Sequence, residues 1–252
     1  MKLSRLDGAD TPASIDLVWC LSSGKDAFFT EAPESWRSKV APLPHQIRPS
    51  TMRSPLTKWG APMASAFTDL QALALQINLA VRVGSRYDVT DFCSILTSLQ
   101  SRLLYLRRCT RSLGLYSVPQ FPYVGPIAID IEDPMREFVR LVMLAFLTTT
   151  FQAMGNSMPF QWIGAQLAEI VPKLLERRDE DDGEFLLWGL AIVGISVVSP
   201  RQQWFRQAWM EISPAREWKA VRRRLMNVMW IESVHDTTGE AMFGLLQSLQ
   251  HE

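Results

Sequence analysis

The sequence predicts an all-α protein: a single multi-helix domain of about eight or more packed helices, preceded by a proline-rich irregular segment. Three observations carry that expectation. Apolar residues recur with a 3.6-residue period in one segment after another from Ser65 onward. Helix-start and helix-stop residues punctuate those segments, and no stretch keeps the two-residue alternation of a half-buried strand. A chain of 252 residues that is 47% hydrophobic is long enough to bury a large core and too apolar to stay disordered throughout.

Residues 1–64 are read as the irregular part. Pro12, Pro33, Pro42, Pro44, Pro49, Pro55 and Pro62 remove backbone donors at a density that prevents long helices. The helical domain is placed at 65–252. Its first helix is expected over Phe67–Val83, with Phe67, Leu70, Ala74, Ile77 and Val81 on the buried side and Thr68, Gln71, Asn78 and Arg82 on the other; Gly84 closes it. Val89–Leu113 repeats the period through Phe92, Leu96, Leu99, Leu103 and Leu106, and Arg107, Arg108 and Arg111 suit the negative end of its dipole. Tyr116–Asp130 reads as a loop.

Asp133-Pro134 reads as an N-cap followed by proline at the first helical position. The helix it opens, to about Phe151, is apolar nearly all round, with Arg140 its only charge after Glu137; such a helix must be covered on every side. Ile163, Leu167, Ile170, Val171, Leu174 and Leu175 mark the next, with a kink expected at Pro172, and Glu176–Glu184 is a solvated turn. Phe185–Val198 reads as a second buried helix, where Gly189, Ala191 and Gly194 allow close approach. Ser199-Pro200 and Ser213-Pro214 read as caps for the next two helices, the second reaching Trp230. A final helix is expected from about Asp236, burying Met242, Phe243, Leu246 and Leu249.

Composition narrows the function. Lys plus Arg equals Asp plus Glu, at 26 each, so the basic excess of a self-sufficient DNA binder is missing. The apolar runs Leu141–Phe151 and Phe185–Val198 fall short of the roughly 20 residues that span a bilayer. Cys20, Cys93 and Cys109 match no zinc module, redox pair or closed disulfide framework, and are expected to be reduced thiols of an intracellular protein. Met1–Thr11 lacks a signal-peptide core, and no Asn-x-Ser/Thr sequon occurs, so secretion is not expected.

The search for chemistry yields no enzyme and no cofactor. His45, His235 and His251 form no metal pair, and no Gly-x-Ser-x-Gly elbow is present. Ser22-Ser23-Gly24-Lys25 lacks the distant glycine and following hydroxyl of a phosphate loop, with Trp19 and Asp26 in their places. His235-Asp236 could be a base and its orienter, but neighbours in a helix do not face each other, and Asp236 reads better as a cap. What remains is a basic stripe after Pro214. Arg216, Lys219 and Arg223 share a face opposite Trp218, Val221, Leu225 and Val228; it is read either as a contact for an acidic partner or as a solvated face. Of the tryptophans Trp188, Trp204, Trp209, Trp218 and Trp230, most are expected in the core, with one or two free to line a ligand pocket.

The run from Phe185 to Ser196, then Arg201-Gln-Gln-Trp-Phe, Trp218-Lys-Ala-Val-Arg-Arg-Arg-Leu, Trp230 and Ile231-Glu-Ser-Val-His-Asp, resembles the closing part of the fungal-specific transcription factor domain, the regulatory region of fungal zinc-cluster transcription factors. Upstream, Asp133-Pro-Met-Arg-Glu-Phe-Val-Arg-Leu is similar to that family's central helix, with Glu137, Arg140 and Leu141 in matching order. The resemblance covers residues 65–250 and implies a helical regulatory domain working in the nucleus, or alternatively the cytoplasm, through a protein partner, a second copy of the chain or a small-molecule effector. The six-cysteine cluster that reads DNA in that family has no counterpart here, so no direct sequence-specific DNA binding by this chain alone is expected. The competing expectations are a helical interaction scaffold and an enzyme without a local signature.

Overall fold

The computed structural model describes residues 58–84, 89–111, 133–152, 161–177, 182–213 and 217–250. They form eight helices: α1 (Ala61–Val83), α2 (Val89–Arg111), α3 (Pro134–Gln152), α4 (Gln161–Glu176), α5 (Gly183–Ser196), α6 (Gln203–Ile212), α7 (Trp218–Val228) and α8 (Glu232–Ser248). No strand occurs among the described residues, and no described helix is long and apolar enough to cross a membrane. The fold is all-α. The proline-rich stretch up to residue 57, the segment 116–130 expected as a loop and the phosphate-loop lookalike lie outside the described residues, as do the cysteine side chains.

Two helices make the centre. Every residue from Phe138 to Thr150 in α3 and from Phe185 to Gly194 in α5 is buried, which is why both read as apolar all round. They pack on each other; α2 and α4 flank α3, while α6, α7 and α8 cover α5. Gly189 sets the closeness of the α3–α5 contact, since a Cβ there would collide with the Phe138 ring. Gly194 does the same where Phe205 of α6 and Met242 of α8 meet α5. An aromatic ladder of Trp59, Phe67, Phe185 and Trp188 joins α1 to this centre through edge-to-face contacts.

Polar groups inside α3 are all accounted for. The hydroxyls of Thr148, Thr149 and Thr150 donate to the carbonyls of Ala145, Phe146 and Leu147 at 2.7, 2.6 and 2.6 Å. Arg140, only 1% exposed, holds Glu137 with two parallel bonds, Nε to Oε2 at 2.7 Å and a terminal nitrogen to Oε1 at 2.6 Å. Its other terminal nitrogen donates to the Leu103 carbonyl of α2 at 3.3 Å. The start of α3 is as the sequence reads: Asp133 Oδ1 accepts the N–H of Met135 at 3.0 Å and of Arg136 at 3.1 Å.

Elsewhere the boundaries move. Helix α1 begins at Ala61, before the expected start, because Pro62 sits in the first turn where its missing donor costs nothing. Asn78 is buried and Val81 is exposed, the reverse of the expected faces, since α1 outruns the core at its C-terminal end. Helix α4 runs through Pro172 to Glu176. Ser199 does not cap α6: its oxygens close a turn, Oγ accepting the Arg201 N–H at 3.3 Å and the carbonyl accepting Gln202 N–H at 3.0 Å, and extended Gln202 delays the helix to Gln203. Ser213 ends α6 rather than starting α7, its N–H donating to the Trp209 carbonyl at 2.8 Å. Helix α7 starts at Trp218 after extended Glu217 and stops at Val228, so Trp230 lies beyond it.

Candidate functional site

The corner between α7 and α8 holds most of the polar residues that the sequence singles out. Met229 to Ile231 run extended between the two helices and are buried, so their backbone groups cannot turn to water. Side chains from α1, α5 and α8 complete them. Gln71 Nε2 donates to the Val228 carbonyl and Trp188 Nε1 to the Met229 carbonyl, at 2.7 and 2.6 Å. Asn78 takes both sides of the next peptides, donating to the Trp230 carbonyl at 2.7 Å and accepting the Glu232 N–H at 2.9 Å. The Ile231 N–H goes to His235 Nδ1 at 3.1 Å.

That last bond fixes the imidazole. With Nδ1 accepting, the proton sits on Nε2, which donates to Thr149 Oγ1 at 2.7 Å, and the hydroxyl in turn donates a hydrogen bond to the Phe146 carbonyl. Burial pushes the His235 pKa down to about 3, against a smaller opposing pull from the Asp236 charge. The ring is 0% exposed, wedged between Phe146 and Trp230, and both its nitrogens are engaged within the fold. His235 is therefore a structural residue, and the His235-Asp236 pair is no catalytic dyad.

Asp236 is not a cap. Helix α8 starts at Glu232, with extended Ile231 before it, which leaves Asp236 one turn inside. There it receives Arg222 in parallel bonds of 2.8 and 2.9 Å and the Trp230 indole N–H at 2.8 Å. Burial works against the carboxylate, but the bonds from Arg222 and Trp230 and the Arg222 charge outweigh it and hold the carboxyl below its ordinary range. Arg222 also reaches Glu232 at 2.8 Å, and Arg82 of α1 caps the same carboxylate. Arg224 pairs with Glu184 of α5 at 2.8 Å.

The cations of α7 thus divide by position. Arg222 and Arg224 flank the buried Val221, Leu225 and Val228 and are used by the fold. Lys219 and Arg223, four residues apart on the outer side, are exposed and have no hydrogen-bonding or acidic partner among the described residues. Met226, 36% exposed, extends their row by a turn. Arg216 lies outside the described residues. The sequence singles out Lys219 and Arg223; it does not reveal Gln71, Asn78 and Trp188 as partners of a loop about 150 residues away in the first two cases, because nothing local in the chain signals such pairing.

Among the described residues no group of three or more His, Cys, Asp or Glu could hold a metal ion. No family model matches this chain, and no curated protein and no solved structure matches it significantly.

Proposed function

We propose that this chain is a regulatory domain that works by contact rather than by catalysis, presenting the outer face of α7 to an acidic protein partner. The observation that carries the reading is the division of cations on α7. Arg222 and Arg224 are consumed in ion pairs that anchor the helix, whereas Lys219 and Arg223 project beside an exposed methionine without a counter-ion among the described residues. A pair of unneutralised cations with an apolar neighbour suits an acidic amphipathic segment, whose carboxylates gain on approach and whose apolar side covers Met226. The ordered likeness to the regulatory region of fungal zinc-cluster transcription factors supports assigning the output to transcription and the compartment to the nucleus. Fusion of the whole chain to a foreign DNA-binding domain should change expression of a reporter bearing that domain's site, and a fluorescently tagged chain should be nuclear. An unchanged reporter together with exclusion from the nucleus contradicts the proposal.

A second reading, a self-associating scaffold, rests on a different face. Leu75, Leu79 and Val83 lie at four-residue intervals on α1 and are exposed, Leu79 by 61%. A row of this kind is self-complementary across a two-fold axis. Sedimentation of the chain over a concentration series, with and without Leu79→Lys, separates the two readings. A dimer abolished by the substitution favours the scaffold.

A further inference from the structure

A second site lies away from α7, in the cleft between α6 and the end of α8, where a cavity of about 290 Å³ opens. Trp209, Met210, Leu246 and Leu249 give it an apolar body. Arg206 and three glutamine side chains rim it, and among the described residues its lining contains no carboxylate, histidine, thiol or hydroxyl. Arg206 is its single charge, half-buried, and its guanidinium has no hydrogen bond and no ion pair among the described residues. Trp209 is buried and stacks on Phe205, yet its indole N–H has no acceptor among those residues, in contrast to the indoles of Trp188, Trp204 and Trp230, which reach Met229 O, Gln202 Oε1 and Asp236 Oδ1.

We infer that this cavity binds a small-molecule carboxylate with an apolar aromatic or aliphatic body, which enters between Leu246, Leu249 and Met210 and sets its carboxylate against Arg206. Two features fix the ligand class. A guanidinium and an indole N–H, neither with an acceptor among the described residues, supply a positive charge and donors, so the complementary group is an anion with more than one acceptor oxygen, which a carboxylate presents and Arg reads with two parallel bonds. The volume sits at the lower end of the range for small-molecule sites, about 300–1,000 Å³, which matches one ring or a short chain rather than a helix. A charged group on an apolar body also explains the pairing of a single cation with an apolar floor, because an uncharged hydrocarbon would leave Arg206 desolvated and unpaired. This inference is independent of the α7 reading and can stand or fall without it.

Titration calorimetry on the full chain tests it with 3-phenylpropionate, its neutral isostere 3-phenylpropanamide, and propionate. The expected result is saturable one-to-one binding of 3-phenylpropionate, at least about tenfold weaker binding of the amide and of propionate, and loss of the preference for carboxylate over amide in Arg206→Gln. Arg206→Gln changes a rim residue, and an unaltered unfolding midpoint shows that the fold is kept. No saturable binding of 3-phenylpropionate, equal affinity for acid and amide, or a preference that survives in a folded Arg206→Gln overturns the inference. So does binding of the peptide Ac-Asp-Phe-amide in the absence of 3-phenylpropionate binding, which makes the cleft a peptide dock.

Discussion

Asn78 of α1 binds the chain on either side of Ile231 as an adjacent strand would, its amide nitrogen on the Trp230 carbonyl and its amide oxygen on the Glu232 N–H. One side chain thereby supplies the donor and the acceptor that the extended link between α7 and α8 needs once it is buried. The position of α7, and with it the orientation of Lys219 and Arg223, depends on this link being held.

Asn78→Leu keeps the branched shape but leaves a buried carbonyl and a helix N-terminal amide unpaired. The expected loss is about 2–6 kcal/mol, since each of the two orphaned groups costs roughly 1–3 kcal/mol. Urea unfolding followed by far-UV circular dichroism measures it, and the slope of the transition should not change.

His235 makes stability depend on pH. Its pKa is about 3 in the fold and near 6.5 in the unfolded chain, so between those values the unfolded state binds the extra proton. Its contribution is complete above about pH 6.5 and falls by roughly 1.4 kcal/mol for each unit of acidification below that, until pH nears 3. Unfolding free energies measured at pH 7 and pH 5 should differ by about 2 kcal/mol from this group, and His235→Gln should shrink the difference. Asp236, with its carboxyl held low, contributes in the same direction at still lower pH, as acid protonates it below its unfolded value near 4.

Glu137→Ala strips the carboxylate from Arg140 while the guanidinium stays 1% exposed. Removing one partner of a buried pair costs about 3–5 kcal/mol, because the other charge is left desolvated. Replacing both, as Glu137→Leu with Arg140→Met, should recover most of that loss, and thermal unfolding of the three proteins decides it.

Two glycines should respond oppositely to a methyl group. At Gly189 a Cβ runs into the Phe138 ring, so Gly189→Ala should destabilise by about 1–3 kcal/mol through strain between α3 and α5. At Gly244, exposed in α8 with nothing within 4 Å of a Cβ, alanine should stabilise by about 0.5–1 kcal/mol through helix propensity. Melting temperatures of the two variants should move apart.

The all-α architecture and its two central helices were legible in the sequence because hydrophobic period and the absence of charge are local properties. The Asp133 cap and the close contacts at Gly189 and Gly194 could be read for the same reason. The serine-proline caps could not. Ser199 and Ser213 have the right neighbours, but the turn after Ser199 and the end of α6 at Ser213 claim their backbone groups first. Asp236 looked like a cap because an acid before an apolar run usually is one; here Asn78 and His235 satisfy the amides at the start of α8, which frees Asp236 to bind Arg222. Of the basic stripe, periodicity could place Lys219 and Arg223 on one side of α7. Which cations of that helix are already neutralised depends on Asp236, Glu232 and Glu184, and only the packed chain brings those together.

The measurement that bears most directly on the role of α7 compares three fusions of the chain to a foreign DNA-binding domain on one reporter: unmodified, Lys219→Glu with Arg223→Glu, and Lys173→Glu, which reverses an exposed cation on α4. All three should show the same unfolding midpoint, because none of these side chains is buried. The expected result is a reporter response from the unmodified fusion and from Lys173→Glu, and its loss when Lys219 and Arg223 are reversed together. An equal response from all three, with the double variant folded and nuclear, contradicts the assignment of the partner contact to α7.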